Sequence, residues 1–219
     1  MITLQACPGP VSERPLVHRP RLSRLTLAGV ALAAASLALP SAADAHIVRG
    51  EAVGFISGFA HPISGLDHIV AMVAVGLWGA QLGRPAIWLL PVTFPLVMAF
   101  GGFLGLIGVH LPGSEIAIAL SGVCLGACVL AELKPPLWMA AVLVGLFGLF
   151  HGYAHGAELP PGQNALLYSL GFVLATGLLH ASGIALGLVH RWQWGRLALR
   201  GTGAAIMSCG AFFLWTALT

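Results

Sequence analysis

Charge is scarce in this chain. Only 8% of its 219 residues are charged while 58% are hydrophobic, and a mean hydropathy of +0.93 lies above what a soluble globular domain tolerates. The composition therefore excludes an ordinary soluble fold and implies an integral membrane protein whose main partner is the lipid bilayer. Lysine occurs once, as Lys134 in a short turn. No G-x4-G-K-[ST] phosphate loop occurs either, so no nucleotide is expected to drive this chain. The net charge of +3 comes largely from arginines near the amino terminus and near the end. It bears on topology and offers no patch for nucleic acid. Cysteine is too sparse for a disulfide framework: Cys7 falls in a segment expected to be removed, and Cys124, Cys128 and Cys209 lie inside expected spans. Cys124 and Cys128 share a helix face, but one turn apart their Cβ atoms are poorly placed for a bond, and they read as small packing residues.

Long apolar runs are what the chain has in abundance. Arg19, Arg21 and Arg24 precede the run Leu25 to Leu39, and Ala43-Asp44-Ala45 follows it, which is the layout of a cleavable secretory signal. The expected organisation is a signal peptide over residues 1–45 and one membrane domain over residues 46–219. An uncleaved first helix is the alternative, although Pro40 leaves it short. Beyond Glu51, six spans are expected, at Leu66 to Leu82, Ala86 to Val109, Ser114 to Leu133, Pro136 to His155, Ala165 to Val189 and Leu197 to Leu218. The fold class is all-α, a polytopic membrane helical bundle. Val53 to Ala60 is too short to cross alone; it reads either as an outer half-helix or as the start of a longer first span broken at Pro62.

The turns give an independent check on topology, because cytoplasmic loops carry the excess of Lys and Arg. With the mature amino terminus on the periplasmic side of a bacterial inner membrane, Arg84, Lys134, Arg191, Arg196 and Arg200 all fall on the cytoplasmic side. Glu51, Asp67, Glu115 and Glu158 collect outside, so an approaching dication meets carboxylates first. Glycine, at 29 residues, fits closely packed spans. Gly101-x3-Gly105, Gly122-x3-Gly126 and Gly183-x3-Gly187 mark candidate helix contacts.

Two stretches break the apolar pattern. The first, Phe59 to Met72, sets His61, Asp67 and His68 into the start of one span; the second, Phe150 to Glu158, sets His151, His155 and Glu158 into the end of another. Ionisable groups near lipid are costly, so such clusters mark a functional site by default. The topology brings both stretches to the same outer level. His151, His155 and Glu158 follow i, i+4, i+7 spacing and share one face if the helix persists past Gly156. Pro62 and Gly65 make a regular helix between His61 and His68 doubtful. Asp67 is read either as a ligand or as the group that holds an imidazole's tautomer. Imidazole with carboxylate suits Ni²⁺, Co²⁺ or Zn²⁺, whereas Ca²⁺ and Mg²⁺ want mostly oxygen and copper(I) wants sulfur. The candidate metal-binding residues are thus His61, Asp67, His68, His151, His155 and Glu158. His46 joins them, since signal cleavage would give it both an α-amine and an imidazole. His180 reads as an interhelical hydrogen bonder, His110 and His190 as solvated, and Met72 and Tyr153 as packing.

The run His61-x5-Asp67-His68 with Ala71-Met72 and Val75-Gly76, together with Phe150-His151-Gly-x-Ala-His155-Gly-x-Glu158, resembles the two signatures of the HupE/UreJ family of nickel and cobalt permeases. The resemblance covers the mature chain without departure at the motif positions. It implies secondary transport of Ni²⁺, in some members Co²⁺, for hydrogenase or urease maturation, with the metal ion as substrate and no catalytic residues. The alternative is a zinc-dependent intramembrane hydrolase: three histidines, an aspartate and Ser64 also suit metal-activated water, and the family is distantly similar to the alkaline ceramidases.

Overall fold

A computed structural model describes residues 54–159 and 164–219. The expected signal peptide over residues 1–45, His46 and Glu51 lie outside these residues. Every regular element described is helical: α1 Gly54–Ser64, α2 Leu66–Leu82, α3 Ala86–Leu106, α4 Ser114–Leu130, α5 Leu137–Ala157, α6 Ala165–Gly187 and α7 Gln193–Leu218, with a 3-10 turn Leu188–Arg191 before α7. Helices α3, α5, α7 and the stretch Ala165–Arg191 are long and apolar enough to cross a membrane. The bent pair α1 and α2 makes a fifth crossing if counted as one span, and α4 is a shorter apolar helix of 17 residues. The six expected spans thus correspond to α2 through α7. Their outward faces carry large apolar side chains such as Trp88, Leu96, Phe100, Val142, Leu166 and Phe212, all more than half exposed. Water would not tolerate that surface, and lipid welcomes it. The protein is a multi-pass membrane protein.

Glycine sets which helices touch. Gly101 and Gly105 of α3 lie against the backbone of α5 at Leu149, Tyr153 and Ala157; Gly122 and Gly126 of α4 lie against Gly210, Met207 and Gly203 of α7; Gly183 and Gly187 of α6 lie against Val73, Gly76 and Leu77 of α2. Each of the three glycine pairs read from the sequence therefore sits in one of the closest helix pairings. At most of these positions an added Cβ would overlap backbone atoms that cannot yield, so a larger residue would force the axes apart.

Of the two residues that make a regular helix doubtful here, Gly65 carries the break. Pro62 is accommodated inside α1, and the chain bends by 80° at Gly65 instead. Gly65 has extended backbone angles (φ −94°, ψ 119°) at the amino end of α2. The bend turns the end of α1 over the start of α2. At the other end of the bundle, Trp78 Nε1 donates to the Leu133 carbonyl (2.9 Å) and Gln81 Nε2 to the Val129 carbonyl (3.1 Å). Both bonds tie the end of α2 to the end of α4 and the turn after it, where the Val129 carbonyl also accepts from the Glu132 amide at 3.3 Å.

Candidate metal centre

The bend at Gly65 and the end of α5 build the site. His61 comes from the last turn of α1, Asp67 and His68 from the first turn of α2, and His155 from the last turn of α5. Helix α6 walls the cluster with Tyr168 and Phe172, whose rings lie 6.1 Å and 6.0 Å from that of His61. The ring centroid of His155 is 4.6 Å from those of both His61 and His68. One ring nitrogen from each of His61, His68 and His155 falls in a group no more than 4.8 Å across. Two histidine stretches far apart in sequence thus form one cluster, half-buried at His61 and buried at His68 and His155.

The nitrogen geometry says what the cluster can do. His68 Nε2 and His155 Nε2 face each other at 2.7 Å, so between neutral rings one proton occupies the space where two lone pairs converge. Ligand nitrogens about 2.0–2.1 Å from a tetrahedral ion sit roughly 3.3 Å apart. A small outward shift of the rings would exchange that proton for an ion. Asp67 Oδ1 lies 2.8 Å from His68 Nδ1, a contact between adjacent residues that is close but poorly aligned as a hydrogen bond. It favours the proton on Nδ1 and leaves Nε2 as the donor lone pair, the arrangement seen where a carboxylate backs a metal-binding imidazole. Asp67 therefore stands behind His68 instead of pointing into the group of three nitrogens.

His151 is placed differently from its partners in the sequence motif. Its ring is fully buried one helical turn below His155, and 5.4 Å from His68. Its Nδ1 donates to the Phe147 carbonyl at 2.9 Å, so Nε2 carries a bare lone pair that meets no hydrogen-bond partner. Glu158 follows the last residue of α5 and is exposed. It lines a cavity of about 280 Å³ with His61, Asp67, His68, His155 and Glu115. Glu115, at the start of α4, was legible only as part of an acidic face; its place in this cavity comes from the packing of α4 beside α2. Ser64 gives its hydroxyl to the His61 carbonyl at 2.8 Å. Tyr153 accepts a bond from the Leu111 amide at 3.0 Å, so it secures the loop after α3. His110 is exposed as expected, but His190 is half-buried with its Nδ1 2.9 Å from the Gly187 carbonyl. His180 is buried with its ring against the Pro91 backbone of α3, the contact that its reading as an interhelical bonder calls for, but neither ring nitrogen makes a well-aligned hydrogen bond.

The arginine-bearing turns lie at the other end of the bundle. Arg84 follows α2, Lys134 follows α4 and Arg191 follows α6, while the site occupies the start of α2 and the end of α5. This is the architecture of a multi-pass helical membrane protein with an imidazole and carboxylate cluster at one face. The chain belongs to the HupE/UreJ family: the sequence profile described as HupE / UreJ protein matches residues 30–213. It is similar to Protein HupE of Rhizobium leguminosarum bv. viciae, with 47% identity over 176 residues that cover 80% of this chain and 92% of the relative. No solved structure matches it.

Proposed function

We propose that this protein is a permease for a divalent transition metal, Ni²⁺ first and Co²⁺ second, supplying the maturation of a metalloenzyme such as a hydrogenase or urease. The observation that carries the reading is the group of imidazole nitrogens from His61, His68 and His155, backed by Asp67 and opening into a cavity with two further carboxylates. Mixed nitrogen and oxygen donors at this size suit borderline first-row dications. In the orientation that puts the arginine-bearing turns in the cytoplasm, the cluster faces the periplasm of the bacterial inner membrane. Glu115, Glu158 and Asp67 attract the hydrated ion, the three imidazoles replace part of its water, and His151 offers the next lone pair inward. The membrane potential is a sufficient drive: about 2.3 kcal/mol per charge per 100 mV gives roughly 4.6 kcal/mol for a dication, an accumulation of over a thousandfold at that voltage. His46, with the α-amine that signal cleavage would free, would add a chelating pair above the entrance.

Uptake of ⁶³Ni²⁺ by vesicles carrying the purified chain tests the reading, with Co²⁺ and Zn²⁺ as competitors. His68→Ala and His155→Ala should each abolish uptake. Wild-type accumulation in either variant refutes the proposal. A second reading, a zinc-dependent hydrolase acting on lipid, draws on an apolar cavity of about 310 Å³ that reaches His155 between α3, α5 and α6. Tightly held zinc that survives dialysis, together with cleavage of a lipid amide, would favour the hydrolase; a permease site exchanges its ion readily.

A further inference from the structure

Below the imidazole cluster lies a second set of polar atoms that neither helix packing nor the outer cluster uses. His180 is 1% exposed and Thr176 fully buried, and His180 Nδ1, His180 Nε2 and Thr176 Oγ1 all meet no hydrogen-bond partner. Thr176 is unusual in this. Ser121, Ser182, Thr202 and Thr216 each turn the hydroxyl back onto a carbonyl of their own helix, the ordinary recourse of a hydroxyl in a helix. Buried polar atoms without partners are few in a folded protein and call for an explanation.

The facing helix offers a third polar group. Pro95 has no amide hydrogen, so the carbonyl of Pro91 has no helical donor, and Pro91 does the same to Ile87. The backbone of Pro91 lies against His180. A buried imidazole ring and a backbone carbonyl thus face each other inside the protein between α6 and α3. Thr176 and His180 are one turn apart, which puts them on the same face of α6.

Their depth connects them to the outer cluster. Phe172, which touches His61 and His155, shares that face, and Thr176 and His180 follow it by one and two turns, about 6 and 12 Å deeper at 1.5 Å per residue. On α5, His151 lies one turn below His155. The Phe94 ring touches both His151 (5.3 Å between centroids) and His180 (5.4 Å). The buried histidines thus descend in steps from the cavity toward the arginine-bearing end.

We infer that His180, Thr176 and the Pro91 carbonyl form a second, deeper binding station for the divalent ion, reached from the outer imidazoles by way of His151 and Phe94. This rests on the permease reading above. The station has only neutral donors, without a counterpart to Asp67, so it holds the ion more weakly than the entrance does. That ordering suits passage inward: strong capture first, looser binding next, release at the cytoplasmic end.

The test uses the purified full chain, with ⁶³Ni²⁺ as the probe in equilibrium dialysis and in vesicle uptake. His180→Ala removes the nitrogen, and Thr176→Val removes the hydroxyl at nearly constant volume, so the second variant decides the matter if the first does not fold. Both should bind ⁶³Ni²⁺ at the outer cluster within threefold of wild type. Uptake should fall at least tenfold in His180→Ala and at least threefold in Thr176→Val, with loss of a second, weaker bound equivalent that wild type shows. Uptake within twofold of wild type in Thr176→Val, and in His180→Ala where it folds, overturns the inference and leaves the outer-cluster permease standing. Wild-type vesicles that take up no ⁶³Ni²⁺ overturn the permease reading itself.

Discussion

Replacing Asp67 by Asn separates two things this carboxylate does. Its Oδ1 lies 2.8 Å from His68 Nδ1, so it contributes both negative charge and an acceptor that fixes the ring's proton. An amide in the same place keeps the acceptor and loses the charge. From that contact, across the imidazole and along a metal–nitrogen bond of about 2 Å, the ion sits roughly 7 Å from the carboxylate. A dication and a unit charge at that distance attract by about 2 kcal/mol at an effective dielectric of ~40, between the values for a protein surface and for water. The Asp67 side chain is 31% exposed, which supports a value on the screened side of that range.

About 2 kcal/mol is roughly a thirtyfold loss of affinity, within the 10–100-fold typical when a group backing a metal ligand is removed. Asp67→Ala loses the acceptor as well and should bind several times more weakly than Asp67→Asn. Calorimetric titration of Ni²⁺ into the detergent-solubilised chain measures both. Wild-type affinity, within threefold, in Asp67→Asn would refute the placement of this carboxylate behind His68. Equal losses in the two variants would refute its role in holding the tautomer.

Three further outcomes follow from the same geometry. Gly126→Ala puts a Cβ onto Met207 Cα (2.8 Å) and the Gly203 carbonyl (2.9 Å), which should cost about 1–3 kcal/mol. Gly177→Ala meets nothing within 4 Å and should be neutral or up to about 1 kcal/mol stabilising; equal melting temperatures for the two in detergent would contradict the packing of α4 on α7. Protons compete with metal for the ring lone pairs, so acidifying the outside should reduce uptake, by up to about tenfold per unit for each proton displaced, and uptake that falls at no pH the vesicles withstand would count against imidazole ligation. Trp78→Phe removes the bond to the Leu133 carbonyl and should cost about 1 kcal/mol of stability while leaving ⁶³Ni²⁺ uptake within about twofold, because Trp78 lies at the end of α2 remote from His68.

Span positions were legible because lipid imposes a length and an apolar composition that the sequence must declare. The starts at Leu66, Ala86, Ser114 and Ala165 and the end at Leu218 are those expected. Small shifts have local causes: α3 stops at Leu106, short of Val109, where Gly108 takes a positive φ of 75°, and α5 runs past His155 to Ala157 before Glu158. What could not be read was which way each side chain faces. In helices apolar on every side, no polar stripe distinguishes the interior from lipid, so His151 could not be told from His155, and His180 read only as an interhelical hydrogen bonder. The seven-residue spacing of His61 and His68 was informative for a reason other than helical periodicity. The 80° bend at Gly65 brings those rings to 6.0 Å.

The second motif shows how chemistry and packing share a few residues. In His151-Gly152 and His155-Gly156 a histidine is followed at once by glycine, and neighbours on a helix point about 100° apart. The imidazoles of α5 therefore turn toward α2 and α1 while the glycines turn toward α3. There a Cβ at Gly152 would fall on the Met98 carbonyl, and one at Gly156 on the Gly102 carbonyl. Helix α1 repeats the device from the other side: Gly58, one turn before His61, lies against the backbone of Tyr168, and Gly171, next to Phe172, lies against Phe55 and Phe59. Imidazoles from separate helices converge to within hydrogen-bond distance only if their backbones are held close and at fixed depth. The glycines beside the histidines are thus part of the metal-site geometry. Enlarging Gly156 should weaken metal binding through displacement of His155 even though glycine offers the ion no ligand.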